Sequence, residues 1–176
     1  SWTPNGTCAL AYADGLQRPR GMLYVAEQDT LLVVDGGRVV ALWDADGDGR
    51  SDAQERQVVV SKSGLNHGLE LSATHLYAST STTVYRWPRA AGGGSVRAPV
   101  QSNGEEVVVH GIPGSGHSTR TLLFTADGAH LLVSVGSHGN VDADASRSGL
   151  WRYALASMPA GGYAWDADEH NVVRGL

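Results

Sequence analysis

Residues 20–43 read RGMLYVAEQDTLLVVDGGRVVALW. Two short runs of β-branched and apolar residues, Thr30 to Val34 and Arg38 to Trp43, are joined by Asp35-Gly36-Gly37, and Arg20 to Ala26 leads into them. Runs of this length joined by a Gly-rich turn signal a hairpin, so the stretch reads as an antiparallel meander. No apolar period of 3.6 residues persists long enough to predict a long helix, while 23 Gly and 6 Pro punctuate the chain with turns.

The same pattern returns. His67-Gly68-Leu69-Glu70-Leu71 precedes His75 to Ala78 and Thr83 to Trp87. Arg120 to Thr125 precedes an Asp127-Gly128 turn, Leu131 to Val135 and Gly149 to Tyr153, and Val172 to Leu176 reads as the opening of a fourth copy. With Arg20, His67, Arg120 and Arg174 as equivalent starts, the steps are 47, 53 and 54 residues. Repeats of about 40–50 residues built from short strands predict propeller blades. Three blades cannot close a ring without exposing two sheet edges. The predicted fold class is therefore all-β, the N-terminal half of a six-bladed β-propeller of four-stranded antiparallel blades. Residues 1–176 then form a partial propeller domain of about three blades and the start of a fourth, and the remaining blades come from polypeptide outside this chain. The competing reading is a self-contained β-sandwich.

Composition narrows the function. Of 176 residues, 41% are hydrophobic and 18% charged, which suits a packed core rather than disorder. The net charge is −5, and Lys62 is the one lysine beside twelve arginines, so no basic stripe marks a nucleic-acid partner. No run approaches the ~20 apolar residues that span a bilayer, so no membrane partner is expected. Cys8 stands alone, which excludes an internal disulfide and a thiolate-rich zinc site. With the Asn5-Gly6-Thr7 sequon and a start at Ser1, it predicts a secreted, extracellular glycoprotein. There is no Gly-x-Ser-x-Gly elbow, phosphate loop or dinucleotide fingerprint. Gly92-Gly93-Gly94-Ser95 reads as a flexible outer loop.

Asp44-Ala45-Asp46-Gly47-Asp48-Gly49-Arg50-Ser51-Asp52-Ala53-Gln54-Glu55 meets every position of a twelve-residue calcium loop. Carboxylates stand at positions 1, 3, 5, 9 and 12, Gly49 takes the sharp turn, and Arg50 offers its carbonyl. Asp44, Asp46, Asp48, Arg50, Asp52 and Glu55 are thus the predicted metal ligands. The flanking segments read as strands, so the expected role is a structural clip rather than a paired-helix sensor. His110, His117, His130 and His138 lack the short paired spacing of a zinc site.

The innermost strand of a propeller blade faces the axial channel, which singles out Arg20, Asn66, His67, His117 and Arg120. Arginine offers a fork of donors for carboxylates, and neutral histidine accepts a proton near physiological pH. Together they suit an acidic small molecule and a proton abstraction.

Gly116-His117-Ser118-Thr119-Arg120-Thr121-Leu122-Leu123-Phe124, continuing to Val133-Ser134-Val135-Gly136-Ser137, resembles the segment of soluble pyrroloquinoline-quinone (PQQ) sugar dehydrogenases that carries their catalytic histidine. Gln17 to Met22 and Gly64 to Leu69 resemble the first two blades of the sorbosone dehydrogenase-like branch, and the chain is most like its secreted fungal pyranose dehydrogenases. The resemblance implies PQQ and calcium as cofactors and a pyranose or ketoaldose substrate. It implies His117 as the catalytic base, with Arg20, His67 and Arg120 binding the cofactor. It also implies a cytochrome b haem domain or a copper-dependent lytic polysaccharide monooxygenase as electron acceptor. Ser137 departs from bacterial relatives, which place an Asp there to orient the histidine, so another partner must fix the His117 tautomer. The family's later arginines and the calcium ligands near the quinone fall beyond Leu176, so this chain alone is not expected to bind PQQ competently. Two alternatives stand beside this one. A non-catalytic, calcium-stabilised propeller would bind carbohydrate or protein, and a propeller lactonase would need carboxylates at the inner-strand starts.

Overall fold

β-Branched runs broken by Gly- and Asp-rich turns form short strands in a computed structural model that describes residues 9–90 and 93–175. The Asn5 sequon, Cys8, Gly92 and Leu176 lie outside the described residues. The strands are β1 (Pro19–Val25), β2 (Thr30–Asp35), β3 (Arg38–Leu42), β4 (Arg56–Ser61), β5 (Leu69–Leu71), β6 (His75–Ser79), β7 (Val84–Pro88), β8 (Glu106–His110), β9 (Leu122–Phe124), β10 (His130–Val135), β11 (Gly149–Ala154), β12 (Tyr163–Ala164) and β13 (Asn171–Arg174). No helix among the described residues is long and apolar enough to cross a membrane.

Three sheets result among the described residues, ordered β1-β2-β3-β4, β5-β6-β7-β8 and β9-β10-β11-β13. Within each order neighbours pair antiparallel, Leu32 opposite Ala41 and Leu132 opposite Arg152 being examples. This is the four-stranded blade read from the sequence, three times over. One assignment is corrected. Val172 to Arg174 does not begin a fourth blade: β13 pairs with β11, Leu150 opposite Val173, and is the outer strand of the third sheet. An outer strand and the inner strand of a following blade are both short β-branched runs, and variable loops blur the repeat step that would separate them.

The outer edges of the first two sheets are covered by chain that comes later in the sequence. Val100 donates its N–H to the Val59 carbonyl of β4 at 2.9 Å. β12 adds a parallel strand to β8, Tyr163 opposite Val109, extended by Trp165 N–H on the His110 carbonyl. Covering an edge removes a template for unwanted pairing.

Strand alternation sorts side chains between the layers. Leu32, Val34, Val39 and Ala41 pack against Leu69, Leu76, Ala78 and Trp87 of the second sheet. Val33, Val40 and Leu42 point the other way, onto Tyr12, Ala13 and Leu16 of the N-terminal segment. Between the second and third sheets lie Tyr77, Val84, Val108, Leu131, Val133, Trp151 and Tyr153. Trp87 and Trp151 are fully buried. At ~25 cal/mol per Å² over roughly 150–250 Å², each contributes about 4 kcal/mol.

The inner strands converge closely. A Cβ on Gly21 would stand 1.7 Å from the His67 carbonyl oxygen, and one on Gly68 would stand 2.8 Å from the Arg120 carbonyl oxygen. Neighbouring blades approach to backbone contact only because the residue after Arg20, and the one after His67, lacks a side chain. The Gly93–Ser95 loop is pinned rather than flexible. Gln28 donates to the Gly94 carbonyl and accepts from Val96 N–H, while Arg97 bonds Thr30 and the Gln28 carbonyl and lies over the Trp43 ring.

Candidate functional site

The entry to β1 is held by a buried carboxylate. Asp35, at the end of β2, accepts from the Gln17 and Arg18 N–H groups at 2.7 and 2.6 Å and from the Arg38 guanidinium at 2.8 Å. Burial opposes its ionisation, but the bonds from Arg38, Arg18 and Gln17 outweigh burial and hold its carboxyl below the usual range. Arg20 follows. It is exposed and makes no hydrogen bond or ion pair among the described residues.

Beside it, the approach to β5 presents Asn66 and His67. The Asn66 amide donates to the Ser118 carbonyl at 3.1 Å, tying the second blade to the third. Its Oδ1 and the Nδ1 of His67 are buried without a hydrogen-bond partner. Burial, and then the charge of Arg20, push the His67 pKa down, so this ring is neutral at physiological pH. Two clefts meet at Arg20. One of about 260 Å³ runs along the inner strands past His67, Glu70 and Thr121, and one of about 490 Å³ is lined by Arg18, Asn66, Ser118 and Thr119. Glu70 was not among the sequence candidates. Burial raises its pKa against a bond from Leu71 N–H. Its signal was legible as the single acid in the apolar triplet Leu69-Glu70-Leu71.

His117 lies on the connection from β8 to β9, and its ring is exposed. Its N–H bonds the Ser137 carbonyl at 3.1 Å, its Nδ1 is 3.0 Å from Ser137 Oγ, and its Nε2 is 2.9 Å from Asn140 Oδ1. Ser137, which replaces the expected Asp, is therefore the ring's partner on the Nδ1 side, and Asn140 is a contact the sequence did not suggest. The imidazole lines neither cleft, although Ser118 and Thr119, which follow it in the chain, line the larger one.

Arg120 departs from the expected cofactor-binding role. It is 0% exposed, and its guanidinium donates to four backbone carbonyls: Ser81, His117, Thr119 and Pro113. Burial and then the neighbouring Arg147 lower its pKa to about 10, so it remains a cation. Four of its five N–H donors are spent on backbone carbonyls, and a guanidinium with no solvent exposure does not reach a carboxylate in the channel. Arg147 completes the clamp by bonding the Pro113, Ser115 and Gly136 carbonyls. Two arginines thus anchor the connection that carries His117.

The acidic loop joins β3 to β4, as the strand-flanked reading expects. Asp44, Asp46 and Asp48 place carboxylate oxygens within 4.8 Å of one another. Glu55 and Asp52 lie outside that group. Both oxygens of Glu55 accept backbone N–H groups, from Ala45 at 2.6 Å and Asp52 at 3.1 Å, and Asp52 accepts from Gln54 N–H at 2.7 Å. Glu55 is 7% exposed and closes the loop from inside, while Arg56 ties it to the Asp14, Ser51 and Asp52 carbonyls.

The comparisons agree with the blade arrangement. Among solved structures, the calcium structure of Trichoderma reesei Carbohydrate-Active Enzymes Family AA12 is 28% identical at a TM-score of 0.73, over 89% of this chain and 40% of that one. The iodide structure of the same Trichoderma reesei family is 30% identical at 0.71, over 85% and 38%. The holo form of the pyranose dehydrogenase PQQ domain from Coprinopsis cinerea superposes at 0.73 over 89% and 38%; at 22% identity that likeness is one of fold. This chain spans about 40% of the length of these structures and forms part of a propeller. No curated protein matches it. A family model described as TrAA12-like matches residues 2–176, and on that match the chain belongs to the TrAA12-like family.

Proposed function

We propose that the chain forms part of a PQQ-dependent sugar dehydrogenase that oxidises a pyranose or ketoaldose. The observation that carries this reading is the set of unused hydrogen-bonding groups at the junction of the two clefts: the free Arg20 guanidinium, Asn66 Oδ1 and His67 Nδ1. These fit a planar, anionic cofactor. Arg20 would hold a carboxylate, and a neutral His67 would donate Nδ1–H to an oxygen. PQQ supplies a two-electron acceptor when bound. His117 would take the proton of the sugar hydroxyl, and the carbon-bound hydrogen would pass as hydride to that acceptor, so that the alcohol becomes a carbonyl. Arg120 and Arg147 keep the base in place. The holo Coprinopsis structure and the family match support the cofactor assignment. A haem domain or copper oxygenase as acceptor, and secretion from the cell, belong to the same proposal.

The Asp44, Asp46 and Asp48 carboxylates would hold a structural calcium, a reading supported by their convergence and by the calcium structure in the family. A non-catalytic propeller that binds carbohydrate is the second reading, favoured by the absence of His117 from the lining of both clefts. Reconstitution of the full-length protein with PQQ and calcium, followed by sugar-dependent dye reduction, separates the two. We expect His117→Ala to lower turnover by roughly 10²–10⁴-fold. Full turnover in that variant removes His117 from the mechanism, and no turnover in the unaltered protein favours the second reading.

A further inference from the structure

The hydroxyl of Ser137 stands between two groups. It lies 3.0 Å from His117 Nδ1 and 2.8 Å from the Gly139 carbonyl oxygen. A hydroxyl has one proton, and a carbonyl only accepts. Both contacts are therefore hydrogen bonds in one arrangement alone: Ser137 O–H donates to Gly139, and Nδ1–H of His117 donates to Ser137 Oγ. The neutral ring then carries its lone pair on Nε2. That nitrogen faces the Asn140 side-chain amide at 2.9 Å, with Oδ1 toward it. The amide has no other hydrogen bond among the described residues, so it is free to turn and present its N–H₂. The Gly139 carbonyl is backbone and has no such freedom.

We propose that Ser137 is the positioning residue that fixes the Nδ1–H tautomer of His117. It does so by relaying to a backbone carbonyl instead of a carboxylate. Asn140 is a displaceable cap on the proton-accepting Nε2. A sugar hydroxyl replaces the amide at that nitrogen, and its proton passes to Nε2 as the oxidation proceeds. This deepens the dehydrogenase reading and rests on it for the identity of the substrate. The tautomer itself is independent of that reading.

The test uses full-length protein labelled with ¹⁵N-histidine at about pH 8, above the ordinary imidazole range, with the His117 signals assigned by their loss in His117→Gln. The expected spectrum shows a protonated Nδ1 and an unprotonated Nε2. Ser137→Ala shifts the ring toward Nε2–H, Ser137→Thr restores Nδ1–H, and Asn140→Ala leaves Nδ1–H in place. In the PQQ-loaded enzyme, Ser137→Ala lowers kcat on the order of ten- to a hundredfold with KM for the sugar little changed, and Ser137→Thr recovers most of it. An Nε2–H ring in the unaltered protein overturns the proposal. So does a ring that responds to Asn140→Ala rather than to Ser137→Ala, or a loss confined to KM. If the ring behaves as expected but the unaltered protein oxidises no sugar, the dehydrogenase reading fails while the tautomer assignment stands.

Discussion

Asp35 has no solvent exposure yet stays ionised, because one side chain and two backbone N–H groups bond it. Its folded pKa lies below the unfolded value of about 3.9. The contribution to stability is therefore complete above about pH 4 and disappears as pH falls through the depressed folded value. Asp35→Asn keeps the shape and loses the charge. It should cost about 2 kcal/mol near pH 7, and acid melting curves of the two proteins should draw together as pH falls below about 4 and meet once it has passed the depressed folded value. Arg120 is a second case of a residue whose type was legible and whose role was not. The sequence marks it as a charged residue at a blade start, but not that its side chain turns inward onto four carbonyls. Replacing it with Leu orphans those acceptors and should cost about 3 kcal/mol or more in a denaturant titration.

Among the elements, the loop from β3 to β4 is where charge and geometry pull apart. Asp44 supplies one oxygen to the Gly47 N–H and the other to the Gly49 N–H, and this brings its carboxylate near those of Asp46 and Asp48. Three carboxylates this close repel without a cation. Calcium should raise the melting temperature by several degrees, as a bound ligand stabilises the folded state by mass action, and chelator should reverse it. A protein carrying Asp46→Ala and Asp48→Ala should melt identically with and without calcium; a persisting difference would remove the ion from this loop. The spacing of the acids was readable because a loop ligand set is local in sequence. Which of them would converge was not, because the folded turn sets it: Asp44, Asp46 and Asp48 come together, while Glu55 is held against the Ala45, Asp46 and Asp52 N–H groups. The inner and middle strands were readable from their β-branched runs and Gly turns. β8 and β12 were not, and β13 was misplaced, since their partners are chosen across long connections that leave no local trace.

At the scale of the whole molecule, the blades read from repetition are present, and their cores follow the alternation of each strand. The site was half legible. Arg20 and His67 meet at one cleft as the propeller geometry required, whereas His117 depends on Ser137 and Asn140, some twenty residues away. The added strand β12 offers a test of how the blades cooperate. A Cβ at Gly162 would stand 2.5 Å from the Val107 carbonyl oxygen, at a backbone φ of +85°. Gly162→Ala should therefore detach β12, and hydrogen exchange should quicken in β8 while the amides of β2 and β3 keep their protection. Since the rims of the first two sheets are closed by chain made later, through Val100 and through β12, a ribosome releases each of these blades before its seal exists. The nascent protein thus matures one blade behind its synthesis, and a pause between two blades would expose a fresh strand edge to chaperones.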